Sequence, residues 1–194
     1  MFKINDYFYY ILLLFTIFKV DAAIYTVTST NDTYTSGTLR YYIGTASSGD
    51  TIVFSNSLAG QTINLTSQLY IGVSNLTIQG LVLSGSNQIT INGSGISSGN
   101  TFFIGNSSCT ITNLNIIGNN SGNAVYINSS NSIVSNNTIS GNSNSGIFIN
   151  GTNNSISSNT ITNNNASNGG GGIFINLNSN TITNNIVTNN TSSN

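Results

Sequence analysis

From residue 102 onward the apolar positions recur in short alternating triplets divided by Asn, Ser and Gly. Phe102-Phe103-Ile104, Val125-Tyr126-Ile127, Ile147-Phe148-Ile149 and Ile173-Phe174-Ile175 advance by 23, 22 and 26 residues. A second column sets Ile111-Leu114-Ile116-Asn119 against Val134-Asn137-Ile139-Asn142, Ile156-Asn159-Ile161-Asn164 and Leu177-Asn180-Ile182-Asn185, with final members 23, 22 and 21 residues apart. The longer last step of the first column is taken up by Asn163 to Gly172, a polar, Gly-rich run that reads as a loop. Alternations such as Thr160-Ile161-Thr162 predict strands of about three to five residues joined by tight turns, and no repeat carries a helical 3.6 spacing.

Strands this short cannot bury a face alone. A coil stacked on identical neighbours can, so the repeats predict an all-β parallel solenoid with one continuous core of Ile, Leu, Val and Phe rows. At about 22 residues per coil the chain after its leader makes seven or eight coils of 21–26 residues, a rod on the order of 35 Å long. The alignment stacks Asn119, Asn142, Asn164 and Asn185 at one turn, where Asn tolerates left-handed backbone and its amide can bond to the next rung as a ladder. The absence of proline fits the same design, because nearly every internal N–H is needed by an adjacent rung.

Two segments break the pattern. Tyr7 to Phe18 is an apolar run too short to span a bilayer, preceded by Lys3 and followed by Val20-Asp21-Ala22-Ala23, so residues 1–23 read as a signal peptide. Export to a secreted or cell-surface location follows, with no membrane span in the remaining chain. Residues 24–58 read as an N-terminal cap, and 59–194 as the repeats. Within the cap, Leu39, Ile43 and Ala46 sit at helical spacing, with Ser36 as N-cap and Gly49 as stop, so one short helix lies over the open end of the first coil.

The cap residues Asn31-Asp32, Gly37-Thr38-Leu39-Arg40, Ile43, Ala46 and Gly49-Asp50-Thr51-Ile52 resemble the opening of secreted right-handed parallel β-helix proteins. These include the pectin-lyase-like and polymorphic outer-membrane protein superfamilies, whose first unit reads T-N-D…G-(S/T)-L-R-x-A-I…A…G-D-T-I-x-F. Tyr42 stands where the family prefers Ala. The downstream repeats are similar to the Phe-x-x-Asn and Gly-Gly-Ala-Ile repeats of the outer-membrane proteins, with Ile replacing Phe and only Gly170 to Ile173 approaching the glycine motif. The resemblance covers about residues 24 to 190. It implies a right-handed, single-stranded parallel β-helix in which Asp32, Arg40 and Asp50 belong to a structural cap.

Composition then restricts the chemistry. Only 4% of residues are charged, there are three Lys+Arg and four Asp+Glu, no His, and one Cys, while Asn occurs 36 times. So little positive charge excludes a nucleic-acid footprint. A single Cys109 forms no disulfide framework and reads as a small apolar residue in a core row. Beyond the leader the only charges are Asp32, Arg40 and Asp50. Glycoside hydrolysis needs two positioned carboxylates, a nucleophilic Ser or Thr needs a base, and copper delivery needs His, Met or several Cys. No cofactor is expected.

The reading is an exported, non-enzymatic β-helix serving as a structural or adhesive surface module. Its partners are surface glycans, met by Asn amides and the exposed Tyr126 and Phe148, or other copies of the chain through an open C-terminal end. An ice-binding solenoid is the alternative, because Thr138-x-Ser140, Thr160-x-Thr162 and Thr181-x-Thr183 align as hydroxyl files on one sheet. A degenerate polysaccharide lyase comes third.

Overall fold

The computed structural model describes residues 21–82 and 88–193, so the expected leader falls outside the described residues as far as Val20. Successive turns of the chain lay short strands onto three long parallel sheets, with a fourth of two strands, Asn165–Ala166 and Thr191–Ser192. Sheet A has seven strands: Ile24–Val27, Thr51–Phe54, Thr77–Gln79, Thr110–Thr112, Ile133–Ser135, Ser155–Ser157 and Thr181–Thr183. Sheet B has six: Thr62–Asn64, Thr90–Asn92, Asn115–Ile117, Thr138–Ser140, Thr160–Thr162 and Ile186–Thr188. Sheet C has five: Leu69–Ile71, Phe102–Ile104, Val125–Ile127, Ile147–Ile149 and Ile173–Ile175. The described residues form an all-β parallel solenoid with one short α-helix.

It makes about six turns rather than the seven or eight expected. Partners along sheet A, from Ile24 through Thr51, Thr77, Thr110, Ile133 and Ser155 to Thr181, step by 27, 26, 33, 23, 22 and 26 residues. The expected count took 22 as the constant step, and the longer early turns absorb the difference.

The triplets form strands because their β-branched residues suit a pleated, half-buried surface. On sheets A and B the central residue points inward, giving the rows Ile52, Ile78, Ile111, Val134, Ile156 and Ile63, Ile91, Ile116, Ile139, Ile161, all fully buried. On sheet C the phase is reversed, and two residues per strand enter the core while the central aromatic points out. Each fully buried Ile or Leu contributes about 1.5–3 kcal/mol before the entropy of ordering is counted.

The corners between strands use a two-residue device. The first residue takes a left-handed backbone, as in Asn136 (φ 56°), Asn153 (57°), Asn163 (55°), Asn184 (55°) and Asn189 (55°). Asn is among the few residues with a side chain that accept this region readily. The next residue, Asn137, Asn154, Asn164, Asn185 or Asn190, turns its amide to the neighbouring rung. The recurrent Asn-Asn pairs are therefore divided in function, and this accounts for much of the Asn surplus.

Helix α1 (Leu39–Thr45) covers the N-terminal end of the stack, packing on Leu69–Ile71 and on the first two strands of sheet A. Leu39 and Ile43 are its buried positions. Its N-cap is Thr38 rather than Ser36: Thr38 Oγ1 accepts the Tyr41 N–H and donates toward the carbonyls of Thr33 and Thr35. Those two carbonyls hold Thr38, and Ser36 has no such partners. At the other end no element lies over the last described turn, whose Ile175, Ile186 and Val187 are 45%, 60% and 46% exposed.

Candidate functional site

Asp32, Arg40 and Asp50 sit in the cap, each held by several partners. Asp32 receives a two-pronged contact from Arg40, Nε to Oδ1 at 2.7 Å and Nη2 to Oδ2 at 3.0 Å. Its Oδ2 also accepts the backbone N–H and hydroxyl of Thr66. Arg40 spends further N–H groups on the carbonyls of Ser67 and Gln68. The pair thus ties α1 to the chain entering sheet C. Burial raises the Asp32 pKa, but the hydrogen bonds from Arg40 and Thr66 outweigh it, so the carboxyl titrates below the ordinary 3.8. Asp50 is 2% exposed and accepts the N–H groups of Ala23 and Ser47, both at 2.7 Å. Neither carboxylate has a free oxygen directed at an open surface. Among the described residues no three of His, Cys, Asp or Glu cluster.

The asparagines form three ladders, one at each of three corners, and this corrects one expected membership. Asn119, Asn142 and Asn164 do stack, each backbone N–H donating to the side-chain oxygen of the next, at 3.0 and 3.1 Å. The following member is Asn190, not Asn185. Asn185 belongs to the ladder of Asn137 and Asn159, one corner earlier. The third ladder runs from Cys109 through Ser132 and Asn154 to Asn180. Cys109 is buried there, with its thiol against the carbonyls of Val73 and Asn106, and burial pushes its pKa up. The ladder corners flanking sheets A and B lie five residues apart, as in Asn154, Asn159 and Asn164, so the last coil aligned in sequence one side out of register.

The same shift breaks the threonine array. Thr138 and Ser140 pair with Thr160 and Thr162 on sheet B, but the next rung there is Ile186 and Thr188. Thr181 and Thr183 lie on sheet A beside Ser155 and Ser157.

Sheet C carries a feature that sequence reading caught only in part. Tyr70, Phe103, Tyr126, Phe148 and Phe174 form one outward row, with successive ring centroids 5.5, 5.1, 4.8 and 4.8 Å apart. Two residues on, Asn128, Asn150 and Asn176 form an exposed amide file linked by hydrogen bonds of 2.8 Å. In the two earlier rungs that file is Gly72 and Gly105. A Cβ at either would meet the Tyr70 ring at 2.7 Å, so these glycines let the ring lie on the sheet.

The row ends at a groove of about 410 Å³ between α1 and sheet C. Its floor is Ile43, Leu69 and Val73, and its rim carries Tyr34, Arg40, Gln68 and Tyr70. Tyr34 is placed by Gly44, since its hydroxyl occupies the space a side chain there would fill. Tyr34, Gln68 and the groove itself had no signal in the sequence. Tyr70 had one, its place in the aromatic column, hidden by a step of 33 residues to Phe103.

A family model for the right handed beta helix region matches residues 61–193. The chain belongs to the right-handed β-helix family. The crystal structure of Jun a 1, the major allergen from cedar pollen, is similar with a TM-score of 0.60 and 24% identity, over 75% of this chain and 46% of that one. The chain therefore spans less than half of that protein's length, and the likeness bears on fold alone. No curated protein matches. The matched β-helix region begins after the cap, so the groove joins Tyr34, Arg40 and α1 from outside it to Gln68, Leu69 and Tyr70 from within. No helix among the described residues of this β-helix is long and apolar enough to cross a membrane.

Proposed function

We propose that the protein is an exported, non-enzymatic module that binds glycans at a surface. The observation that carries this reading is an outward aromatic row on a face without charge, open at its first ring, Tyr70, which is 56% exposed and has the Gln68 amide beside it. Apolar C–H patches of a sugar suit aromatic surface, and its hydroxyls suit amides. The non-enzymatic part rests on the carboxylates: Asp32 is held by Arg40 and Thr66, and Asp50 by two backbone N–H groups, leaving neither free to shuttle a proton. Export rests on the leader of residues 1–23. The ice-binding alternative loses support, because its three threonine rungs divide between two sheets.

A glycan array combined with a reducing-end assay on the glycans retained is the test. Retention without new reducing ends or unsaturated product is expected. Cleavage of a retained glycan would overturn the non-enzymatic assignment, and absence of retention on any glycan would overturn the reading as a whole.

A further inference from the structure

We infer that the groove between α1 and sheet C is the saccharide site, taking one pyranose unit of a neutral glycan between Tyr34 and Tyr70. The inference rests on the glycan-binding reading and gives it a location. Rings 4.8 to 5.5 Å apart, stacked or tilted, cover one another along the row, so Phe103, Tyr126 and Phe148 each have a neighbour on both sides. A sugar stacking on a ring needs a free face. Tyr70 starts the row, with only Phe103 beside it, and its remaining side lines the groove.

The rest of the groove suits the same ligand. Tyr34 and Tyr70 are 64% and 56% exposed, and among the described residues no group hydrogen-bonds to either hydroxyl. Gln68 accepts from Asn100 through Oε1 at 2.9 Å, which fixes its amide and leaves Nε2 free to donate. Arg40 retains one N–H on Nη1 after its bonds to Asp32, Ser67 and Gln68. An apolar floor of Ile43, Leu69 and Val73 with hydroxyl and amide groups on the rim matches the two-sided character of a sugar ring. The volume falls in the range of about 300–1,000 Å³ usual for small-molecule sites. Because Asp32 already offsets Arg40, the groove has no uncompensated positive charge, and the ligand is a neutral sugar rather than a uronate.

The test uses the chain from residue 22, which keeps the Ala23 amide on Asp50, with cellohexaose, xylohexaose, mannohexaose, chitohexaose and hexagalacturonate as probes. The chain has no Trp, so its intrinsic fluorescence reports tyrosine directly. Binding of at least one neutral probe is expected, weakened about tenfold by Tyr70→Ala and by Tyr34→Ala and changed less than about twofold by Tyr126→Ala. Gly72→Asn serves as a second variant. It continues the amide file found in later rungs while displacing the Tyr70 ring, and it should weaken binding as Tyr70→Ala does. Neutral-probe binding that survives Tyr34→Ala and Tyr70→Ala but is lost in Tyr126→Ala would overturn the groove and leave the glycan reading standing. Binding of hexagalacturonate alone would overturn the neutral ligand. No binding of any probe would overturn the groove, and the array then decides the broader reading.

Discussion

The cap and the stack are built on different chemistry within one chain. The stack is held by rows of Ile and by amide ladders that repeat from rung to rung, so successive rungs resemble one another and the ladder amides are consumed in structure. The cap holds the Asp32–Arg40 pair, the buried Asp50 and a tyrosine cluster in which Tyr25 stacks on Tyr42 at 5.0 Å. These cannot be exchanged along the rod. Repetition leaves few free functional groups, and the irregular cap is where unused donors and a concave surface coincide. On the glycan-binding proposal, this difference places the site at the junction of the two regions rather than along the rod.

The strongest way to break this contrast is in the stack. Asn164 is fully buried, and its amide serves the backbone N–H and side chain of Asn142, the carbonyl of Ile139 and the side chain of Asn190. Asn164→Leu should cost about 3 kcal/mol or more in urea unfolding, since each orphaned buried group costs about 1–3 kcal/mol. A loss below about 1 kcal/mol would mean that the ladders carry little of the stability.

A smaller effect is expected from Arg40→Met in the cap. Asp32 and Arg40 side chains are only 4% and 15% exposed, so removing one partner should cost about 2 kcal/mol, between surface and fully buried pairs. Hydrogen exchange should rise in α1 and at Thr66–Gln68 while the turns from Thr110 onward stay protected. Uniform loss of protection would show that cap and stack unfold as one unit.

Tyr126→Ala removes two ring contacts and should cost about 1 kcal/mol. Acid provides the mildest probe. Because the Asp32 pKa is lowered on folding, its contribution is complete above the ordinary 3.8 and is lost as pH falls through the folded value. Cap protection should therefore decline below about pH 4, and Asp32→Asn should flatten that decline. Equal acid sensitivity in the variant would assign the effect to another group.

Much of the fold was legible because a solenoid writes its period into the sequence. The triplets around Ile111, Ile139 and Ile161 are strands as read, and the helical spacing of Leu39, Ile43 and Ala46 placed a helix where α1 lies. The last coil was misread because adjacent sides share the same Ile-x-x-Asn spacing five residues apart. Two columns in one coil must advance by the same step. The mismatch of 21 against 26 already pointed to Asn190 rather than Asn185, and the pairing of Ile156 with Ile182 restores a common step. The groove was not legible: Tyr34 and Tyr70 meet only because α1 folds over sheet C, and no local spacing encodes that approach. The N-cap moved from Ser36 to Thr38 for a similar reason, since its hydroxyl is fixed by carbonyls on the turn before it.

The proposed location of binding is tested most directly by NMR on the chain from residue 22, which keeps Ala23 on Asp50, with 13C-labelled tyrosine rings, titrated with the neutral hexasaccharide that binds best. Only Tyr25, Tyr34, Tyr41, Tyr42, Tyr70 and Tyr126 contribute signals. Saturable shifts at Tyr34 and Tyr70, with Tyr126 unmoved, are the predicted result. Shifts at Tyr126 with Tyr34 and Tyr70 unmoved would contradict it.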